Sequence, residues 1–147
     1  MIEIQNRKAK FDYEIIDTYE TGIILTGTEI KSIRQGKANL KDSYCIIKNN
    51  EIYVLNMHIS SYDHGNIFNH EETRTRKLLM HKKEINKIKN NLELNGFTVI
   101  PLKLYFKGSF AKLLIGVAKG KHNYDKRETI KKRDQERELK KYIKKNI

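Results

Sequence analysis

Apolar residues in this chain recur mostly at alternate positions, and two stretches switch to helical spacing. Residues 1–10 are polar and basic after the first few positions and read as an arm or irregular edge. Phe11, Tyr13 and Ile15 alternate, which predicts a strand over residues 11–17. Tyr19-Glu20-Thr21-Gly22 reads as a turn, and residues 23–25 resume the sheet. Thr26 or Thr28 then caps a short helix carrying Ile30 and Ile33, which Gly36 ends. A helix that short needs a partner to dock on. Residues 43–48 and 51–59 form a hairpin joined at Asn49-Asn50, with Tyr53, Leu55, Met57 and Ile59 on one face. Residues 60–75 show no period and read as a long loop that wraps the fold or binds something.

Ile85, Ile88 and Leu92 make the apolar stripe of a second helix over residues 82–94, ended by Asn95-Gly96. Residues 97–107 are a long strand in which Ile100, Leu102, Leu104 and Phe106 alternate. Pro101 within it implies an edge or a bulge. Residues 110–119 return, with Leu113, Ile115 and Val117 as core candidates. The fold class is therefore mainly β. The preferred architecture is an oligonucleotide-binding-like antiparallel barrel of about six strands with short flanking helices, since closure removes exposed edges. An open α+β sheet is the alternative.

Charge changes this picture. The 147 residues carry 30 Lys plus Arg against 18 Asp plus Glu, a formal net charge of +12. That excess points to a polyanion: RNA, DNA or an acidic membrane surface. It is uneven. Residues 121–147 hold eight Lys and three Arg against five acids, a net +6 and half the total. Their apolar residues are few, so they read as a basic tail, disordered alone and helical against RNA, behind a barrel domain at 1–120. The single cysteine, Cys45, fits a reducing cytosol and a buried side chain. No signal peptide or apolar run of about 20 residues is evident.

The candidate chemistry is binding rather than catalysis. His58, His64, His70, His81 and His122 match no closed zinc pattern, so no metal is expected. The serines lack a nucleophile elbow, and no phosphate-binding loop precedes Gly36-Lys37 or Gly120-Lys121. Nothing argues for an enzyme or a cofactor. Basic side chains recur instead: Arg7, Lys8 and Lys10; Lys31 and Arg34; Arg74, Arg76 and Lys77; Lys119 and Lys121. Such groups neutralise phosphates and give affinity with little sequence information. Tyrosines and Phe68 would stack on bases where they face outward.

Several linked motifs resemble one family. They are Tyr19-Glu20-Thr21-Gly22, Gly27-Thr28-Glu29-Ile30-Lys31-Ser32, and the run from Gly36 to Tyr44. Thr75-Arg76-Lys77-Leu78-Leu79, Pro101 to Lys107, Gly116 to Lys121, and Asp125-Lys126-Arg127 continue the series. Together they are similar to the SsrA-binding protein, or small protein B, family. The resemblance implies a barrel that grips the tRNA-like domain of transfer-messenger RNA and takes the place of its missing anticodon arm. It implies an adaptor in trans-translation, the rescue of stalled bacterial ribosomes. Alanyl-tRNA synthetase would be a functional partner, and elongation factor Tu a partner only indirectly, through the RNA complex. The protein would be a cytoplasmic monomer with no membrane partner.

By the same resemblance Asn6, Glu20, Leu79 and Lys112 match positions used in RNA binding. Leu79 is equally readable as core, and Lys112 as facing phosphate. Asp125, Lys126 and Arg127 match the start of the ribosome-active tail, extended here by Lys131, Lys132, Arg133 and Arg137 toward rRNA. Two departures stand out: Ser60-Ser61 where proline is common, and His122 where lysine is common.

Overall fold

The structure is a computed structural model, and it describes residues 2–63 and 69–121. The expected tail, with Asp125, Lys126, Arg127, Lys131, Lys132, Arg133 and Arg137, lies outside the described residues, as do His64, Phe68 and His122.

The chain begins with β1 (Glu3–Gln5), a single-turn α1 (Ala9–Asp12) and the long β2 (Tyr13–Ile23). After α2 (Gly27–Arg34) come the short β3 (Ala38–Asn39), the hairpin of β4 (Tyr44–Lys48) and β5 (Glu51–Leu55), and β6 (His58–Ile59). Next are β7 (Arg76–Leu79), α3 (Lys82–Asn95), β8 (Thr98–Lys107) and β9 (Phe110–Gly120). The sheet runs β8-β4-β5-β7-β2-β9, and β9 pairs back on β8, so six antiparallel strands close a barrel. β1 adds to the free side of β8, and β3 pairs with β6 apart from the ring. The open-sheet alternative is thereby excluded.

Two bulges shape this ring. One shifts the β2–β9 register between Ile15 and Asp17, the other the β8–β9 register between Pro101 and Lys103. Each inserts one residue and reverses which alternate side chains face inward. Ile15, Ile100 and Leu102 therefore pack outside the barrel with Ala9 of α1 and Ala118. Beyond the bulges, Ile23 and Leu104 lie in the main core, with Tyr19 and Phe106 packed against it. The single apolar face expected for Ile100, Leu102, Leu104 and Phe106 is thus split in two.

Other expectations are corrected in the same way. Phe11 is not in a strand; it belongs to α1 and is 79% exposed, because Ala9 supplies the buried contact. Tyr19-Glu20-Thr21-Gly22 is not a turn but the middle of β2, paired continuously with β9. The second hairpin strand breaks at Asn56, whose φ of 61° reverses the phase. Ile52 and Val54 precede that break and Met57 and Ile59 follow it, and all four are buried. Asn49 and Asn50 do form the turn, with φ of 52° and 61°.

α2 docks on the barrel as its length demands. Thr26 accepts from the Glu29 N–H, and the Glu29 side chain accepts from the Thr26 N–H, a reciprocal capping box. Ile33 is fully buried in the main core, while Ile30 is only partly covered. α3 buries Ile85 and Ile88 and ends at Gly96 with φ 65°, a left-handed position that favours glycine.

Candidate nucleic-acid interface

The capping box of α2 does more than end a helix. Glu29 is fully buried, and its carboxylate faces two arginines from the chain entering β7. Arg74 Nε donates to Glu29 Oε2 at 3.2 Å and Arg74 Nη2 pairs with Oε1. Arg76 Nε donates to Oε2, while its two terminal nitrogens donate to carbonyls of Met57 at 2.6 Å and Glu72 at 3.1 Å. Burial alone would raise the Glu29 carboxyl. Hydrogen bonds from Arg74, the Thr26 N–H and Arg76 outweigh it and hold the group below its usual range.

This geometry corrects one expected contact. Arg76 is fully buried, every nitrogen of its guanidinium is engaged inside the protein, and it has no face for a phosphate. Arg74 is partly exposed, but it too is committed to Glu29 and to the Ile24 carbonyl. Arg76 thus builds the body, whereas Arg74 braces it and keeps part of its side chain at the surface. His70 braces the same region: its Nε2 lies 2.8 Å from the Ile59 carbonyl and its Nδ1 lies 2.9 Å from the Thr28 hydroxyl. A carbonyl only accepts, so Nε2 carries the proton. His58 instead faces Glu72 at 3.2 Å, and no group of three metal ligands occurs among the described residues.

Three expected contacts are brought together on the outer wall of the barrel. Gly22 pairs with Leu79 on β7 and with Lys112 on β9, and Lys112 pairs with Tyr105 on β8. These four lie in one row across four strands and share the outer face. Glu20, two residues before Gly22, lies in the adjacent row on that face. Leu79 is 53% exposed, so it is a surface residue and not core. A Cβ on Gly22 would lie 3.2 Å from Leu79 Cβ, which shows that the leucine leans over the bare backbone of β2.

Glu20 is held in this wall. Tyr105 donates its hydroxyl to Glu20 Oε2, and Lys107 Nζ lies 3.5 Å from Oε1. The Tyr105 hydrogen bond is the largest influence lowering the Glu20 carboxyl, with Lys107 and Lys112 adding to it. Burial and then the Glu20 bond push the Tyr105 hydroxyl up to about 12. Tyr105 and Lys107 were not singled out from sequence. Their alternation with Leu104 and Phe106 was the available signal, since it puts both on the outer face.

The remaining basic residues fall into two further groups. Asn6 donates its side-chain amide to the Pro101 carbonyl at 2.9 Å, so its carbonyl oxygen is the end left for a ligand. Arg7 and Lys8 are exposed beside it, and Lys8 and Asn6 line a cleft of about 270 Å³ with Asp12, Asp42 and Thr98. Lys119 pairs in register with Glu14, and Lys121 ties β9 to α1 by donating its Nζ to the Lys10 carbonyl at 2.7 Å. On α2, Lys31 lies 5.3 Å from the Tyr62 ring centre and Arg34 lies 4.9 Å from that of Phe106. Lys77, on the same outer side as Leu79, lies 3.6 Å from Glu51. No helix among the described residues is long and apolar enough to cross a membrane.

Comparison with known proteins agrees with this architecture. A sequence model of the family described as SmpB protein matches residues 3–145. The chain is 59% identical over 140 residues to an SsrA-binding protein of Ligilactobacillus salivarius, covering 95% of this chain and 90% of the relative. It is 57% identical over 143 residues to an SsrA-binding protein of Shouchella clausii, covering 97% and 92%. It also resembles a solved chain described under "tmRNA-SmpB: a journey to the center of the bacterial ribosome". The TM-score is 0.72 at 42% identity, with coverage of 86% and 89%.

Proposed function

The chain belongs to the SmpB protein family, and from that premise we propose that it binds the tRNA-like domain of transfer-messenger RNA and enables its delivery to stalled ribosomes. It works as an adaptor in trans-translation, filling the place of the missing anticodon arm, and it catalyses no step itself. The observation that carries this reading is the outer-wall row of Leu79, Gly22 and Lys112 beside Glu20. It offers an apolar platform, an ammonium and a fixed carboxylate within one nucleotide's reach. A merely basic surface would offer phosphate contacts alone.

The barrel body, residues 1–120, supplies RNA recognition in this reading. Asn6, Arg7, Lys8, Lys31, Arg34, Lys77, Lys119 and Lys121 add phosphate and sugar contacts around the outer wall. The basic segment 121–147 engages rRNA through Lys126, Arg127, Lys131, Lys132, Arg133 and Arg137, with Asp125 ordering its start. Elongation factor Tu and alanyl-tRNA synthetase meet the protein through the RNA. The protein acts as a monomer in the cytoplasm.

Competition binding tests this directly, using the tRNA-like domain, ordinary tRNA and an unrelated duplex of similar charge at moderate salt. The tRNA-like domain should win. Equal displacement by all three would reduce the protein to a general polyanion binder.

A further inference from the structure

The solvent-facing side of α3 is charged in a way that works against the helix. Lys82 and Lys83 stand in its first turn, where the helix dipole disfavours cations. No basic residue stands in its last turn, where cations are favoured. Lys83 and Lys87 are like charges one turn apart, which also weakens a helix. Asn86 and Asn90 hold exposed mid-helix positions that better helix formers would fill at less cost. The acid of the first turn, Glu84, is only partly exposed, which leaves Glu93 as the exposed acid of the helix. A face selected for stability would make the opposite choices, and residues that break local rules without a packing reason mark function.

With about 3.6 residues per turn, Asn86 and Asn90 run along the centre of the exposed face. Lys82 and Lys89 flank them on one side, Lys83 and Lys87 on the other. Ile85, Ile88 and Leu92 occupy the opposite side, against the core. Among the described residues no carboxylate pairs with Lys83, Lys87 or Lys89, while Lys82 lies 3.5 Å from Glu51, which it shares with Lys77. Resting on the ribosome-rescue reading above, we propose that this face is a second RNA-binding surface that takes the backbone of an RNA duplex. The two lysine rows meet phosphates of the two strands, and Asn86 and Asn90 meet 2′-hydroxyls between them. The minor groove of an RNA duplex is wide, shallow and lined by 2′-hydroxyls. An amide both donates and accepts, as that hydroxyl does. An acidic membrane surface would attract the lysines, but it would need apolar side chains where the amides stand.

The face is separate from the outer wall, because β7 ends at Leu79 and the chain there turns into α3. α3 finishes just before β8, and Thr98 of β8 pairs with Ala118 near the end of β9. Lys121, one residue past β9, donates its N–H to the Asp12 carbonyl. The last turn of α3 and the start of the basic segment 121–147 therefore share one end of the barrel. A chain holding the tRNA-like domain on its wall can meet a second RNA at that end without releasing the first.

The test uses the full chain, first saturated with the tRNA-like domain. The complex is then titrated with a short RNA duplex, a DNA duplex of the same sequence, and vesicles of phosphatidylserine and phosphatidylcholine. The RNA duplex should bind. Lys83→Glu reverses one charge and draws Lys87 into a pair with the new carboxylate. It should weaken duplex binding about tenfold and flatten the dependence of log affinity on log salt by about 2. Its melting temperature should equal or exceed that of wild type, since an acid in the first turn favours the helix. Replacing both asparagines, Asn86→Ala with Asn90→Ala, should weaken the RNA duplex about threefold and leave the DNA duplex unchanged. Unchanged duplex affinity in Lys83→Glu would make the face a solvated helix surface and end the proposal. Equal losses for RNA and DNA in the asparagine variant would overturn the 2′-hydroxyl contact. Loss of vesicle binding alone in Lys83→Glu would assign the face to a membrane. The first step also reads wild-type preference for the tRNA-like domain over an unrelated duplex. Failure there would sink the general reading, the duplex titration then being read on the free chain. Persistence of that preference with an unmoved Lys83→Glu would sink this surface alone.

Discussion

Arg76 and Glu29, 47 residues apart in sequence, form an ion pair in which both side chains are sealed from solvent. The pair joins the first turn of α2 to the start of β7. The other nitrogens of Arg76 hold the carbonyls of Met57 and Glu72, so one guanidinium fixes three separate segments. Breaking a buried pair leaves an uncompensated charge and costs about 3–5 kcal/mol. Arg76→Ala should therefore lower the unfolding free energy by that amount, read by urea denaturation. Arg76→Lys should recover little, because an ammonium cannot reproduce the planar fork. A near-neutral Arg76→Ala would show that the pair contributes little to the fold.

Acid sensitivity follows from the same carboxylate. Glu29 is held below its usual range in the folded chain, so its contribution is fully present above the unfolded value of about 4.3. It is lost as pH falls through the depressed folded value. The stability difference between wild type and Glu29→Gln should be constant at neutral pH and shrink below about pH 4. Thermal melting across that range checks the sign. A gap that widens on acidification would contradict it.

Gly22 should matter for binding more than for folding. An added Cβ would lie 3.2 Å from Leu79 Cβ, so β2 and β7 would have to part by a few tenths of an ångström, while the half-exposed tip of Leu79 can turn aside. Gly22→Ala should cost less than about 1 kcal/mol in stability. It should weaken RNA binding severalfold, because it disturbs the platform. Titration and melting on one preparation separate the two. A large loss of stability with unchanged affinity would reverse the assignment. Gly116 is the contrasting case: a Cβ there would lie 2.9 Å from Leu102 Cδ1 in the outer apolar cluster. Gly116→Ala should destabilise by about 1–3 kcal/mol through overpacking.

Lys112 should behave as a phosphate contact. Lys112→Ala should weaken binding to folded RNAs uniformly and flatten the dependence of log affinity on log salt by about 1. An unchanged slope would place its ammonium away from phosphate.

Removal of residues 122–147 should spare binding to the tRNA-like domain and abolish ribosome-dependent tagging. Lys121 is best kept, since its backbone N–H and side chain both bond to α1. Equal loss of RNA affinity in the truncated protein would contradict the division between body and tail.

Much of this protein was written locally. The Asn49-Asn50 hairpin, the capped start of α2 at Thr26, the Gly96 stop of α3 and the bulge at Pro101 each depend on residues within a few positions of one another. The mainly β class and the basic surface needed only alternation and charge. The tertiary structure alone decided which faces those alternations present. Ring closure added a second bulge at Ile15, and each of the two bulges reversed inside and outside. It also set Gly22 in mid-strand under Leu79, drew Arg76 inward to Glu29, and brought Tyr105 across 85 residues to Glu20. A two-residue period carries no record of where a ring closes. Neither does a charged side chain declare its partner before distant strands are laid side by side.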